Sequence, residues 1–124
     1  MNESQRRVAV LADDLIWASR LVAALERSGA RPLRSPSAEH LARILAAEGQ
    51  LAAVVVDLGG RSYDGVEAVR LAAQHGQPVL AVGQHEDVAL RRRALKAGAR
   101  RVYSYNKIFR DGPQVMSALL AGEL

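Results

Sequence analysis

LAAVVVDLGGRSYDG, residues 51–65, is the stretch whose reading decides the fold. Leu51 and then Ala53 to Val56 are apolar, three valines stand side by side, and the run ends on Asp57. Unbroken β-branched residues without a helical period read as a strand buried on both faces, the setting of a central strand in a parallel sheet. Ligands of such sheets bind beyond the carboxyl ends of the strands, which is where Asp57 falls. Gly59 and Gly60 make the following loop, and Asp64-Gly65 opens the next helix. A carboxylate at that place costs free energy unless it is used or solvated.

Upstream, residues 7–12 (RVAVLA) form another apolar run that ends on acids, Asp13 and Asp14. Leu15, Ala18, Leu21, Val22 and Leu25 then recur at helical spacing, with Asp14 placed to cap that helix and Gly29 to close it. Residues 31–35 read as a weak strand, and Pro32 suits an edge position. Pro36-Ser37 starts a second helix with Leu41, Ile44 and Leu45 on its inner face, closing at Gly49.

Downstream, Val66, Val69, Leu71 and Ala73 mark a third helix that stops near His75-Gly76. Val79 to Val82 make a fourth short strand. Glu86 and Asp87 favour the start of a fourth helix, because acids complement its dipole. Leu90, Ala94 and Leu95 are assigned to its inner face, Arg91, Arg92, Arg93 and Lys96 to a basic outer one, and Gly98 to its end. Residues 101–105 alternate as an edge strand. Asp111, with Pro113 close behind, starts a last helix carrying Val115, Met116, Leu119 and Leu120.

Five strands alternating with five helices specify an α/β fold, a parallel sheet with helices on both faces and right-handed crossovers. At 124 residues the chain is one domain, residues 1–124, and the expected arrangement is flavodoxin-like with strand order 2-1-3-4-5. The first and third strands are then neighbours, so Asp13, Asp14 and Asp57 meet at one rim. Aromatic residues are only 4% of the chain, so Ala, Val, Leu and Ile must build the core. The absence of cysteine excludes disulfides, thiolate metal sites and a cysteine nucleophile. No apolar run reaches the roughly 20 residues of a membrane span, the first residues carry no signal-peptide pattern, and the expected location is cytoplasmic.

Converging carboxylates repel one another, so either a proton is held with a raised pKa or a cation neutralises them. Hard oxygen ligands with room for water suit Mg²⁺. A carboxylate beside Mg²⁺ can also act as nucleophile toward a phosphoryl group. Taken singly, each acid has a plainer reading: Asp14 as a helix cap, Asp57 as a turn acid, Asp64-Gly65 as turn and helix-start chemistry. Two adjacent strand ends both carrying acids favour the pocket.

Over essentially its whole length the chain resembles the receiver domain of bacterial two-component response regulators. The resemblance is carried by Asp13-Asp14, Asp57, Asp64-Gly65, Pro78, the Ala97-Gly98-Ala99 turn and Lys107-Ile108-Phe109. It implies a signalling domain rather than an enzyme, with Asp57 as acceptor of a phosphoryl group from a histidine kinase. It also implies Mg²⁺ held by Asp13, Asp14, Asp57 and the Gly59 carbonyl. Departures are as informative. Gly83 stands where the family carries a Ser or Thr hydroxyl, and Arg61 where it carries proline. The family lysine falls on Tyr105, with Val102 at the switch aromatic, when counted from Gly98. It falls on Lys107 when counted back from the last helix, and the helix start favours Lys107. Neither register offers the family's proline, since Ile108 or Asn106 follows. The expectation is an atypical receiver, weakly switched or unswitched by phosphorylation.

The alternative is a phosphorylation-independent pseudo-receiver that binds partners or dimerises through the face of helix four, strand five and helix five. Arg91, Arg92, Lys96, Arg101, Tyr103 and Tyr105 are the candidates there, with Arg93 and Arg100 beside them. The net charge of +4 comes from 17 bases against 13 acids, all the bases but Lys96 and Lys107 being arginine. No base-stacking aromatics interleave with the arginines of helix four, so direct nucleic-acid binding is not expected. A small α/β enzyme or nucleotide binder shares the fold class, but no P-loop, dinucleotide fingerprint or Ser-His-Asp set can be assembled. Trp17 reads as a partly covered surface residue off the apolar stripe of the first helix, not as a ligand platform. His40, His75 and His85 are scattered and read as no metal site.

Overall fold

The computed structural model describes residues 5–47 and 51–124. Gly49, the expected end of the second helix, lies outside the described residues. In chain order the elements are β1 (Arg7–Leu11), α1 (Leu15–Arg27), β2 (Arg31–Ser35), α2 (Ala38–Ala47) and β3 (Ala53–Asp57). They continue as α3 (Gly65–Gln74), β4 (Val79–Gly83), α4 (Val88–Ala97), β5 (Arg101–Ser104) and α5 (Tyr105–Leu120). All pairings are parallel and the order is β2-β1-β3-β4-β5, as the flavodoxin-like arrangement requires.

β3 sits at the centre because both of its faces are apolar. Val54 and Val56 point into one core with Leu41, Leu45, Val66 and Val69, beneath α2, α3 and α4. Ala53 and Val55 point into the other with Leu21, Leu25, Val115 and Met116, beneath α1 and α5. Burying each large apolar side chain stabilises the fold by about 1.5–3 kcal/mol, and this burial is what chiefly holds the layers together. β2 takes the edge, where Pro32 pairs in register with Val8 without breaking an interior ladder. Gly29 closes α1 at φ +84°, a conformation in which a side chain would be strained. At the amino rim of the sheet the Arg6 guanidinium donates to the Leu120 carbonyl, tying the start of β1 to the end of α5.

Three expectations need correction. The last helix begins at Tyr105, not Asp111, capped by the Ser104 hydroxyl, which accepts from the Lys107 N–H at 3.1 Å. Asp111 is instead a kink within it, at φ −127° and ψ 26°, because Pro113 cannot donate to the preceding turn and its ring crowds the carbonyl there. Leu95 is 43% exposed and Leu15 71% exposed, so neither belongs to a buried stripe. Leu95 lies on the outward side of α4, and Leu15 is the first residue of α1, ahead of the buried turn at Ala18.

Candidate functional site

Asp57 ends β3 in register with Val82 of β4 and is 1% exposed. The chain continues the sheet for one more bond, Leu58 N–H to the Val82 carbonyl at 2.8 Å, which leaves the carboxyl group in the crevice at the rim. Its Oδ1 accepts the Gly59 N–H at 2.9 Å and the hydroxyl of Tyr105, the first residue of α5. A second phenol, Tyr63, donates to the Asp57 backbone carbonyl at 2.6 Å and stands 3.3 Å from the Leu11 carbonyl, bridging the ends of β3 and β1.

The two glycines of the loop lie against these two rings. A Cβ on Gly59 would run into the Tyr105 hydroxyl, and one on Gly60 into the Tyr63 ring. Neither residue has a positive φ, so what glycine gives here is room for the tyrosine side chains as they stand.

The acids of β1 reach the same rim, but each has separate work. Asp13 Oδ2 accepts from the Arg61 N–H (3.0 Å), the Ser62 N–H (2.8 Å) and the Ser62 hydroxyl (2.8 Å), stapling the β3–α3 loop to the end of β1. The Ser62 backbone bond is the main reason its pKa is lowered, against a smaller opposing effect of burial. Asp14 caps α1, accepting from the Trp17 N–H at 3.0 Å. Asp57 is pushed the other way: burial raises its pKa, and the charges on Asp14 and Asp13 add to that, while the bonds from Tyr105 and Gly59 oppose it. Burial also raises the phenols of Tyr63 and Tyr105, so both remain neutral donors.

The expected three-acid cup for a cation is therefore not assembled. Among the described residues no three His, Asp or Glu side chains are grouped to hold a metal ion. One oxygen of each carboxylate is engaged, Asp13 Oδ2 by the loop, Asp14 Oδ1 by the α1 terminus and Asp57 Oδ1 by Gly59 and Tyr105, so a cation at this rim would be held through the other oxygens and the Gly59 carbonyl.

The register after β5 also needs correction. Lys107 does not face Asp57: its Nζ lies 3.1 Å from Asp111 Oδ2, one helical turn along α5, and 5.9 Å from the Tyr103 ring. Tyr105 takes the place beside Asp57, as the count from Gly98 has it. It does not belong to the partner face assigned to it, because its hydroxyl is turned into the pocket. Gly83 is buried at the end of β4, where an added Cβ would meet Leu58 at 3.4–3.5 Å, an ordinary contact. Nothing at that position supplies a hydroxyl.

Three contributors escaped the sequence reading. Trp17 is half-buried, its ring 4.4 Å from that of Tyr105 at an interplanar angle of 33°. Tyr63 and Ser62 are the others, and the only hint of them is the glycine pair that makes room for a ring. On the α4–β5–α5 face, Arg91, Leu95, Arg101, Tyr103, Lys107 and Arg110 line a shallow concavity of about 460 Å³. Arg92 and Lys96 are exposed on α4 outside it.

No family model and no curated protein matches the chain. Solved structures do. The receiver domain of a Francisella response regulator superposes with a TM-score of 0.80 at 14% identity, over 97% of this chain and 100% of that one. A CheY-like response regulator receiver domain from Methanospirillum hungatei gives 0.82 at 17% identity, over 97% of each. A Burkholderia pseudomallei response regulator, solved with a phosphorylated aspartic acid, calcium ion and citrate, gives 0.77 at 19% identity over 94% of this chain and 66% of that one. The chain has the CheY-like fold of response regulator receiver domains.

Proposed function

We propose that this chain is a receiver-fold signalling module that works through protein contacts and not as an enzyme, with Asp57 held by Tyr105 instead of being cycled by phosphoryl transfer. The observation that carries the reading is the Tyr105 hydroxyl on Asp57 Oδ1. A neutral phenol engages one oxygen of Asp57, while one oxygen of Asp13 holds the loop and one of Asp14 caps α1. The pocket then acts as a structural latch joining β1, β3 and α5. The partner is a histidine kinase or another signalling protein in the cytoplasm, engaged through the basic α4–β5–α5 face with Arg91, Arg92, Lys96, Arg101 and Tyr103. No helix of the described residues is long and apolar enough to cross a membrane. A homodimer through the same face is opposed by its charge, since Arg91, Arg101 and Arg110 would meet their own copies.

The second reading keeps Asp57 as phosphoacceptor with Mg²⁺ on Asp13, Asp14 and the Gly59 carbonyl. Its support is the position of Asp57 at the end of β3 together with the phosphorylated aspartic acid in the Burkholderia relative. It uses the second oxygen of each carboxylate, outside the bonds to Tyr105, the loop and the α1 terminus. Amide NMR of the chain titrated with Mg²⁺, with and without beryllofluoride, separates the two. The latch reading expects no change at residues 57–64 or in α4. A Mg²⁺-dependent gain of one phosphoryl group from acetyl phosphate, abolished by Asp57→Asn, would overturn it.

A further inference from the structure

The concavity of about 460 Å³ along the open edge of β5 is built from donors alone. In a parallel ladder, alternate residues of a strand turn their N–H and C=O groups to the same neighbour. The Arg100 N–H bonds the Val79 carbonyl, so Val102 and Ser104 also face β4. The N–H groups of Arg101 and Tyr103 therefore point away from the sheet, along the concavity that these two residues line. α4 supplies one wall with Arg91 and Leu95, and α5 the other with Lys107 and Arg110.

No Asp or Glu lines it. Lys107 is balanced by Asp111 at 3.1 Å, which leaves Arg91, Arg101 and Arg110 without an ion-pair partner among the described residues. The Arg101 guanidinium donates to the neighbouring Arg100 carbonyl at 3.2 Å. Arg92 and Arg93 lie outside the concavity, exposed on α4 as an ordinary solvated stripe. The other three converge from α4, β5 and α5, so their repulsion is a product of the tertiary fold, and a bound anion relieves it. Guanidinium forks and outward backbone N–H groups together call for an acceptor rich in oxygens.

We infer that this concavity binds a polyphosphate group, carried by an inorganic chain or by a nucleotide. A run of phosphoryl groups presents oxygens to forks on three elements at once, which a single phosphoryl group does not. The volume falls within the roughly 300–1,000 Å³ of small-ligand sites, and Leu95 and Tyr103 offer apolar surface beside the cations. An extended acidic peptide fits less well, because β5 has four residues and turns only two of them outward, too few rungs for an added strand. The inference rests on the reading of this face as the working surface: the ligand covers Arg91 and Arg101 and keeps a protein partner off. It is independent of Asp57, and Asp57→Asn binds equally.

The test titrates the ¹⁵N-labelled chain with tripolyphosphate, ATP, AMP and orthophosphate, with EDTA present to keep divalent cations from Asp57. A glutamate-rich peptide and a single-stranded oligothymidylate are the competing macromolecules. The expected result is saturable amide shifts confined to residues 91–95, 101–104 and 107–110. Tripolyphosphate and ATP should bind at least about tenfold more tightly than orthophosphate and AMP. ATP ahead of tripolyphosphate identifies a nucleotide, and equal affinity identifies the phosphate chain alone. Arg91→Lys, which keeps the charge and loses the fork, weakens binding about tenfold, as do Arg101→Gln and Arg110→Gln. Removing three exposed arginines elsewhere, Arg34→Gln/Arg43→Gln/Arg93→Gln, changes it by no more than about twofold. Equal weakening by that control, tighter binding of the peptide or oligonucleotide, or no binding up to about 1 mM would overturn the assignment. The Mg²⁺ and beryllofluoride titration decides the Asp57 latch separately, so either reading can fail without the other.

Discussion

Asp57 combines an acid with nearly complete burial, and the Tyr105 hydroxyl and the Gly59 N–H both donate to it. Because its folded pKa lies above the ordinary 3.8, chiefly through burial, the folded chain holds this proton more tightly than the unfolded one. Its contribution to stability is greatest below that value and is lost as pH rises through the raised pKa. Asp13 runs the opposite way: lowered by the loop bonds, it stabilises above 3.8 and loses that as pH falls through its own lower value. Asp57→Asn removes the buried charge yet keeps an oxygen for Gly59 and Tyr105. Its thermal midpoint should exceed the parent's by several degrees at about pH 7, with the difference shrinking toward about pH 4. Tyr105→Phe leaves the carboxylate with one donor fewer and should cost about 1–3 kcal/mol in urea unfolding at neutral pH. Tyr105 shows where the sequence stopped being legible. Which residue meets a side chain 48 positions away depends on the turn after β5, and no periodicity encodes that. Lys107 had the more familiar chemistry, but α5 starts early enough to turn it toward Asp111.

α5 is decided by its two ends and its kink. Ser104 caps it and thereby fixes the orientation of Tyr105, the next residue, over Gly59. Ser104→Ala should lose about 1 kcal/mol in denaturant melts with an unchanged m-value. It should also shift Trp17 emission, because the Tyr105 ring packs against Trp17. That second readout distinguishes a loosened pocket from a merely frayed terminus. The strands were readable because β-branched runs between glycine and proline signals have few other solutions. Helix faces were less so. Leu95 follows Ala94 in the apolar pattern, but the inner side of α4 is held by Ala94 and Ala97. Leu41→Ala should therefore cost about 2–5 kcal/mol in urea unfolding, while Leu95→Ala stays within about 0.5 kcal/mol.

Taken as a whole, the molecule separates its roles by rim and by face. Strand order follows from the alternation of elements, and once β1 and β3 are neighbours their acids must share an edge. The sequence could therefore place Asp13, Asp14 and Asp57 together. It could not show that hydrogen bonds to the β3–α3 loop and to the α1 terminus would engage one oxygen each of Asp13 and Asp14, since those bonds depend on backbone directions set by the finished fold. The arginines of the α4–β5–α5 surface carry its charge, so association with acidic partners there should weaken as salt rises, and sedimentation across an ionic-strength series measures it.

The bond from Arg6 to the Leu120 carbonyl brings the first strand's beginning and the final helix's last turn side by side, at the margin remote from Asp57. A short glycine-serine bridge between these two points would scarcely stretch, so a circularly permuted version should keep its melting behaviour. Cargo attached there, whether a dye or a surface tether, would leave the acid-bearing crevice open to solvent.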